Sequence, residues 1–178
     1  MILTDKSILE EMDKGTIIIV PFERNSLGSN SYDVHLGDEL VVYQEGILDS
    51  RKNNDTKSIK IPEEGIILNP GELYLGATVE YTETFSHVPF LEGKSSTGRL
   101  GISIHATAGK GDIGFKGNWT LEISVIKPVR VYKGQPIAQL IYFKPSDTCL
   151  VSYGDKLNCK YQNQPSIPIP SKMFLNNF

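Results

Sequence analysis

The chain changes its apolar period once, at Gly15, and that change limits what it can fold into. Before it, Ile8, Leu9 and Met12 form a stripe at helical spacing, with Thr4 or Asp5 placed to cap it and Gly15 offering the left-handed residue that stops a helix. From Thr16 onward the apolar runs are short, rich in β-branched and aromatic residues, and cut by glycine, proline and Asn/Asp. They are Thr16 to Val20, Ser31 to Leu36, Glu39 to Tyr43, Glu72 to Val79, Ile102 to Ala106, Trp119 to Val125, Val129 to Tyr132 and Ile137 to Phe143. Strands at this spacing with no helices between them predict a mainly β sandwich, roll or barrel preceded by one helix, and argue against a parallel α/β sheet. The stretch "DSRKNNDTK", 49–57, reads as a solvated loop. After Pro145 the chain carries Pro165, Pro168 and Pro170 and no strand pattern, so it is expected to wrap over a surface or reach a neighbour.

A length of 178 residues suits one domain, large enough to bury roughly 70% of the surface its unfolded form exposes. The formal charge is −3, with 18 basic against 21 acidic residues and no long like-charged block. A nucleic acid polymer is therefore not expected as a partner, because backbone binding needs a basic face that meets several phosphates at once. A small anion held by a few placed cations is compatible with this balance. The longest apolar runs, such as Ile17 to Phe22, fall far short of the roughly 20 residues that span a bilayer, so no membrane segment is expected. Asp5 and Lys6 interrupt the start before any signal-peptide core, and Cys149 and Cys159 read as free thiols of a cytoplasmic protein.

Three segments carry potential chemistry. In "NWTLEISV", Trp119, Leu121, Ile123 and Val125 alternate with Asn118, Thr120, Glu122 and Ser124, which places Glu122 on the polar face of a strand. A solvent-facing glutamate is the bland reading; a catalytic one gains weight only from its company. "GKSSTGRLG", Gly93 to Gly101, ends like a phosphate loop, but Val88 stands where that motif requires glycine, so it is not one. Lys94, Ser95, Ser96 and Arg99 can form an anion and hydroxyl cluster there, or simply a polar turn. In "ATAGKGDIGFKG", Gly109, Gly111, Gly114 and Gly117 surround Asp112, and this predicts either a tight hairpin or a loop whose backbone faces a flat ring. The three histidines, His35, His87 and His105, are scattered, and neither His-x-Glu nor Pro-Cys-x-x-Cys occurs, so a zinc deaminase site is not expected. A Gly-x-Ser-x-Gly elbow is also missing, which leaves no support for a serine nucleophile.

The run "GKSSTGRLGISIHATAGKGDIGFKGNWTLEI", Gly93 to Ile123, closely resembles the dCTP deaminases of the dUTPase-related trimeric superfamily. "MILTDKSILEEM", "SNSYDVHLG", "KGQPIAQL" and "YGDKLNCKYQNQ" resemble further segments of that family, so the likeness covers most of the chain. It implies a distorted β-barrel or β-roll of the dUTPase-like type with one N-terminal helix. It also implies a single domain over 1–178 whose tail, 146–178, closes the nucleotide site. By resemblance Glu122 is the acid/base, Ser95 and Arg99 are its active-site partners, and the Ala108 carbonyl helps hold the attacking water. Lys94 matches a phosphate contact within a run of binding residues that includes Ser96, Thr97 and Gly98. Asp112 matches a residue near the sugar and base, and Thr120 and Leu121 line the base pocket. Gln139, Tyr153, Lys160 and Gln164 match residues at the triphosphate end.

The implied reaction is zinc-independent hydrolysis of dCTP to dUTP and ammonia, which would feed thymidylate synthesis; the alternative is a bifunctional enzyme giving dUMP, pyrophosphate and ammonia. The resemblance further implies a homotrimer with sites between subunits, Mg2+ carried by the triphosphate with no protein side chain as its ligand, and dTTP as a possible inhibitor. A plain dUTPase fits less well, since its glycine-rich C-terminal arm is missing and it would not need Glu122. A silent nucleotide-binding trimer fits less well too, since Ser95, Arg99 and Glu122 are all present. Ile113 in place of proline, Lys94 in place of arginine and Ser29-Asn30-Ser31 in place of Pro-Ala-Ser depart from the family pattern. Lysine at 94 gives up bidentate phosphate geometry.

Overall fold

In the computed structural model, which describes residues 1–44 and 46–176, helix α1 spans Asp5–Asp13 and ends at Gly15 with φ +71°. Thr4 caps its start, the hydroxyl accepting the Ser7 N–H, and Ile8 is its buried residue. Ten strands follow: β1 (Ile17–Val20), β2 (Tyr32–Tyr43), β3 (Thr56–Lys60), β4 (Ile66–Leu68), β5 (Tyr74–Thr84), β6 (Val88–Gly93), β7 (Ile102–Ser103), β8 (Lys116–Val125), β9 (Val129–Val131) and β10 (Pro136–Phe143). A second helix, α2 (Ser95–Arg99), lies between β6 and β7. Eight strands make one sheet, ordered β6-β10-β2-β5-β8-β7, with β1 on β5 and β3 on β2, while β4 and β9 form a separate pair; all pairings are antiparallel. The result is a mainly β, barrel-like fold, as expected.

Differences from the sequence reading have local causes. The two runs Ser31 to Leu36 and Glu39 to Tyr43 join into the single long strand β2, with the intervening Gly37-Asp38 absorbed by a shift of register between Leu36 and Leu40. Strand β3 begins inside the segment read as a loop, because Thr56–Lys60 is polar yet pairs along an edge of β2. Strands β4 and β6 were not anticipated: one is only three residues long, and the other contains Pro89. The run Ile102 to Ala106 pairs only through Ile102–Ser103 before becoming a loop.

The core is built from the inward residues of these strands. Tyr32, Val34, Leu36, Leu40, Leu121, Ile123, Ile137, Leu140 and Tyr142 are all essentially inaccessible, and burying each large apolar side chain contributes about 1.5–3 kcal/mol. Strand β5 changes register against β8 between Ala77 and Tyr81, and there Thr78 and Glu80 turn inward. Both are satisfied. The Thr78 hydroxyl donates to the Glu80 carbonyl at 2.8 Å and accepts the Trp119 N–H at 2.9 Å, while Glu80 accepts from both the backbone N–H and the ring of His35.

Among the described residues, 146–176 add no strand. The segment lies along β8, with the Asn118 N–H donating to the Gln164 carbonyl at 3.0 Å and the Asn163 N–H to the Lys116 carbonyl at 2.8 Å. Gly117 makes this approach possible: its φ is +139°, and a Cβ there would stand 2.5 Å from the Gln164 nitrogen. Cys149 and Cys159 are free. No helix among the described residues is long and apolar enough to cross a membrane.

Candidate active site

A cavity of about 520 Å³ opens between β8, the loop before it and the C-terminal segment. Glu122 and Thr120 reach it from alternate positions of β8, opposite Leu75 and Ala77 of β5, while their neighbours Leu121 and Ile123 fill the core. The Glu122 carboxylate is half-buried and accepts the Ala106 N–H at 2.7 Å, and its own N–H donates to the Ile104 carbonyl at 2.9 Å. Two backbone bonds to one loop therefore set both the strand position and the side-chain direction of this glutamate. Aromatic faces from Phe115, Trp119, Tyr153 and Tyr161 line much of the remaining wall, and the Trp119 indole is fixed by donation to the Thr82 hydroxyl at 2.9 Å.

Asp112 also borders the cavity. Lys110 donates to one of its carboxylate oxygens at 2.8 Å and Lys156 to the other at 3.4 Å. The Lys110 ammonium foremost, with Lys156 adding to it, holds the Asp112 carboxyl below the ordinary carboxylate range despite partial burial. On the opposite wall the Thr120 hydroxyl donates to Gln164 Oε1 at 2.8 Å and accepts the Ile169 N–H at 3.1 Å. The Tyr153 hydroxyl accepts the Tyr161 N–H at 3.0 Å. Of the residues singled out from sequence, Glu122, Thr120, Asp112, Tyr153 and Gln164 thus meet around one cavity.

Other members of that set do not line this cavity. Ser95, Ser96, Gly98 and Arg99 are exposed on α2, and none of them lines the cavity beside Glu122. Thr97 is buried and donates to the Ile137 carbonyl at 3.1 Å, so it pins α2 to β10 and its hydroxyl is occupied. Ala108 is exposed on the loop. The Leu121 side chain points into the core, leaving only its backbone toward the cavity, a consequence of strand alternation. Lys94 pairs with Asp33, and the Gln139 amide donates to the Gly93 carbonyl at 3.0 Å. Lys160 bonds the Asn176 side chain.

In the loop around Asp112, the structure at Gly111 favours the packing role of its two readings. The Gly111 N–H donates to the Pro89 carbonyl at 2.8 Å, and a Cβ at Gly111 would lie 2.4 Å from the Trp119 ring. Glycine here serves close packing of the loop against the barrel. The sequence reading also missed Lys110, Lys156, Tyr161 and Ala106; for Lys110 the signal was its position two residues before Asp112, while the others are adjacent only in space. Among the described residues no group of three or more His, Cys, Asp or Glu side chains could hold a metal ion.

Comparison with known proteins decides the family. A family model described as dCTP deaminase-like matches residues 2–145. The chain belongs to the dCTP deaminase-like family. A protein of Clostridium acetobutylicum named "dCTP deaminase, dUMP-forming" is 49% identical over 174 residues, covering 98% of this chain and 97% of that one. One of the same name from Leptospira biflexa is 54% identical over 142 residues, covering 80% and 81%. The crystal structure of 2'-deoxycytidine 5'-triphosphate deaminase from Agrobacterium tumefaciens aligns with TM-score 0.64 and 20% identity, over 81% of this chain and 48% of that one. At that identity the likeness speaks for the fold. The expectation of a hydrolase acting on the cytosine C–N bond agrees with the family and with the activity for which these relatives are named. The names differ from the leading expectation in one respect: they give dUMP as product, which favours the bifunctional alternative over release of dUTP.

Proposed function

We propose that this protein hydrolyses dCTP to dUMP, pyrophosphate and ammonia, consuming two waters. The first water adds to C4 of cytosine, the C–N bond breaks and the exocyclic amine leaves as ammonia. The second cleaves between the α- and β-phosphates. The observation that carries the reading is the Glu122 carboxylate, held at 2.7 Å by the Ala106 N–H on the wall of an aromatic-lined cavity. One carboxylate positioned in this way can take a proton from the attacking water and return it to N3 or to the departing amine, a role that typically contributes about 10²–10⁴-fold. Tyr153, Phe115 and Trp119 offer flat faces for a base, and Asp112, held ionised by Lys110 and Lys156, is placed for the sugar or the second water.

The assembly completes the site in this reading. Ser95 and Arg99 are exposed on α2 and away from their own subunit's cavity. A homotrimer would let a neighbouring copy present that serine hydroxyl and guanidinium to Glu122. Leu100 and Ile126, 62% and 77% exposed beside α2, form an apolar corner that such a contact would cover. With the water fixed by a hydroxyl and a peptide oxygen, here assigned to Ser95 and the Ala108 carbonyl, no transition metal is required. Mg2+ would come with the triphosphate and temper its charge.

Product analysis on dCTP tests this. Equal amounts of ammonia, dUMP and pyrophosphate are expected, and Glu122→Gln should reduce ammonia release by at least about 100-fold while nucleotide still binds. Accumulation of dUTP as the end product would overturn the second hydrolysis, and near-normal deamination by the variant would overturn the role of Glu122. Addition of dTTP to the same assay tests inhibition.

A further inference from the structure

Away from the cavity, β2, β6 and β10 bring Asp33, Lys94 and Gln139 together. Gln139 stands opposite Asp33 in one register and opposite Glu92 in the other, and its amide donates to the carbonyl of Gly93, the residue before Lys94. Tyr32 and Val34 fill the core, so alternation turns Asp33 to the other face of β2. There its carboxylate accepts a hydrogen bond from the Lys94 ammonium, and the two side chains are only 27% and 21% exposed. The cation read above as a phosphate contact is thus already neutralised by a carboxylate of its own chain.

We infer that Asp33 is an internal competitor for phosphate at Lys94: it holds the ammonium until a polyanionic tail displaces it, and so sets how much negative charge a ligand must carry to occupy this end of the site. The inference rests on the reading of Lys94 as a phosphate contact. An ammonium has three donors and can keep Asp33 while binding a phosphate oxygen only by holding two anions across one nitrogen. Their repulsion is poorly screened where both groups are partly buried. A triphosphate can win that competition, whereas a monophosphate brings far less charge against the carboxylate and a nucleoside brings no anion at all. Lysine sharpens the effect. A guanidinium could give one edge to Asp33 and another to phosphate, but the ammonium is a point charge that must be shared. In the proposed reaction the nucleotide product carries fewer charges than the substrate, and Asp33 would then favour its departure by reclaiming Lys94.

Calorimetric binding of inorganic tripolyphosphate and dCMP, at fixed ionic strength, tests the inference. Asp33→Asn should tighten tripolyphosphate and dCMP by about 3–10-fold, and Asp33→Ser, made in parallel in case the first variant misfolds, should do the same. Asp33→Glu should bind like the unaltered protein. In a Lys94→Gln background the substitution at Asp33 should have no effect. Unchanged or weaker binding by Asp33→Asn and Asp33→Ser would overturn the inference, as would equal tightening without Lys94, which would indicate only a change of net charge. Ammonia release by the unaltered protein is measured separately. Its absence would refute the deaminase reading and leave the Asp33 result standing, while normal release with no tightening would refute this inference alone.

Discussion

Thr120→Val isolates the tie between the C-terminal segment and the candidate site. Its hydroxyl donates to Gln164 Oε1 at 2.8 Å and accepts the Ile169 N–H at 3.1 Å, two residues from Glu122 on the same face of β8. Valine keeps the shape and loses both bonds. Each neutral hydrogen bond is worth about 1 kcal/mol net, and the freed partners can turn to water because this segment is only partly buried, so the local loss is about 2 kcal/mol, or about 30-fold in the closed-to-open ratio. The bonds from Asn118 to Gln164, Asn163 to Lys116 and Ser171 to the Tyr43 hydroxyl remain, so the segment loosens without detaching. Amide hydrogen exchange read by mass spectrometry is the direct assay. Peptides from 160–174 should exchange about 30-fold faster, while peptides from β2 and β10, whose burial does not involve Thr120, should be unchanged. Equal acceleration everywhere, or none in the tail, would refute the assignment of Thr120 as the tie.

Two further predictions concern stability. His35→Ala leaves Glu80, 2% exposed, with only a backbone donor, and should cost about 2–3 kcal/mol in chemical denaturation; a loss below about 0.5 kcal/mol would mean that water reaches the carboxylate. His87 is buried, and burial lowers its pKa despite the opposing pull of Glu11. The unfolded chain therefore takes up the proton near pH 6.5 while the folded one resists it, so stability is full above that pH and declines as pH falls toward the folded value. The melting temperature should drop as the pH falls below about 6.5, and His87→Gln should flatten that slope; an equal slope in the variant would exclude His87 as its source.

How much of this was legible in the sequence can be argued residue by residue. The helix, its cap at Thr4 and its stop at Gly15 were readable because those signals are local: one hydroxyl, one stripe and one residue free to take positive φ. The face of β8 was readable because a period of two separates Leu121 and Ile123 from Thr120 and Glu122 without help from any other segment. The contiguous run from Gly93 to Ile123 was distinctive enough to indicate a family. Strand β3 was not legible, since its polar residues are held by pairing with β2 rather than by their own propensity. The glycines near Asp112 left two readings open because composition cannot say whether the space beside a missing Cβ belongs to a ligand or, as at Gly111, to Trp119.

The sequence by itself therefore determined which residue types could do chemistry and on which face of a strand they would lie, because both depend on side-chain identity and short-range periodicity. Only the tertiary structure decided their company. Lys156 on Asp112, Gln164 on Thr120 and Asp33 on Lys94 all depend on contacts between residues distant in the chain, which strand order and register create and no local pattern encodes.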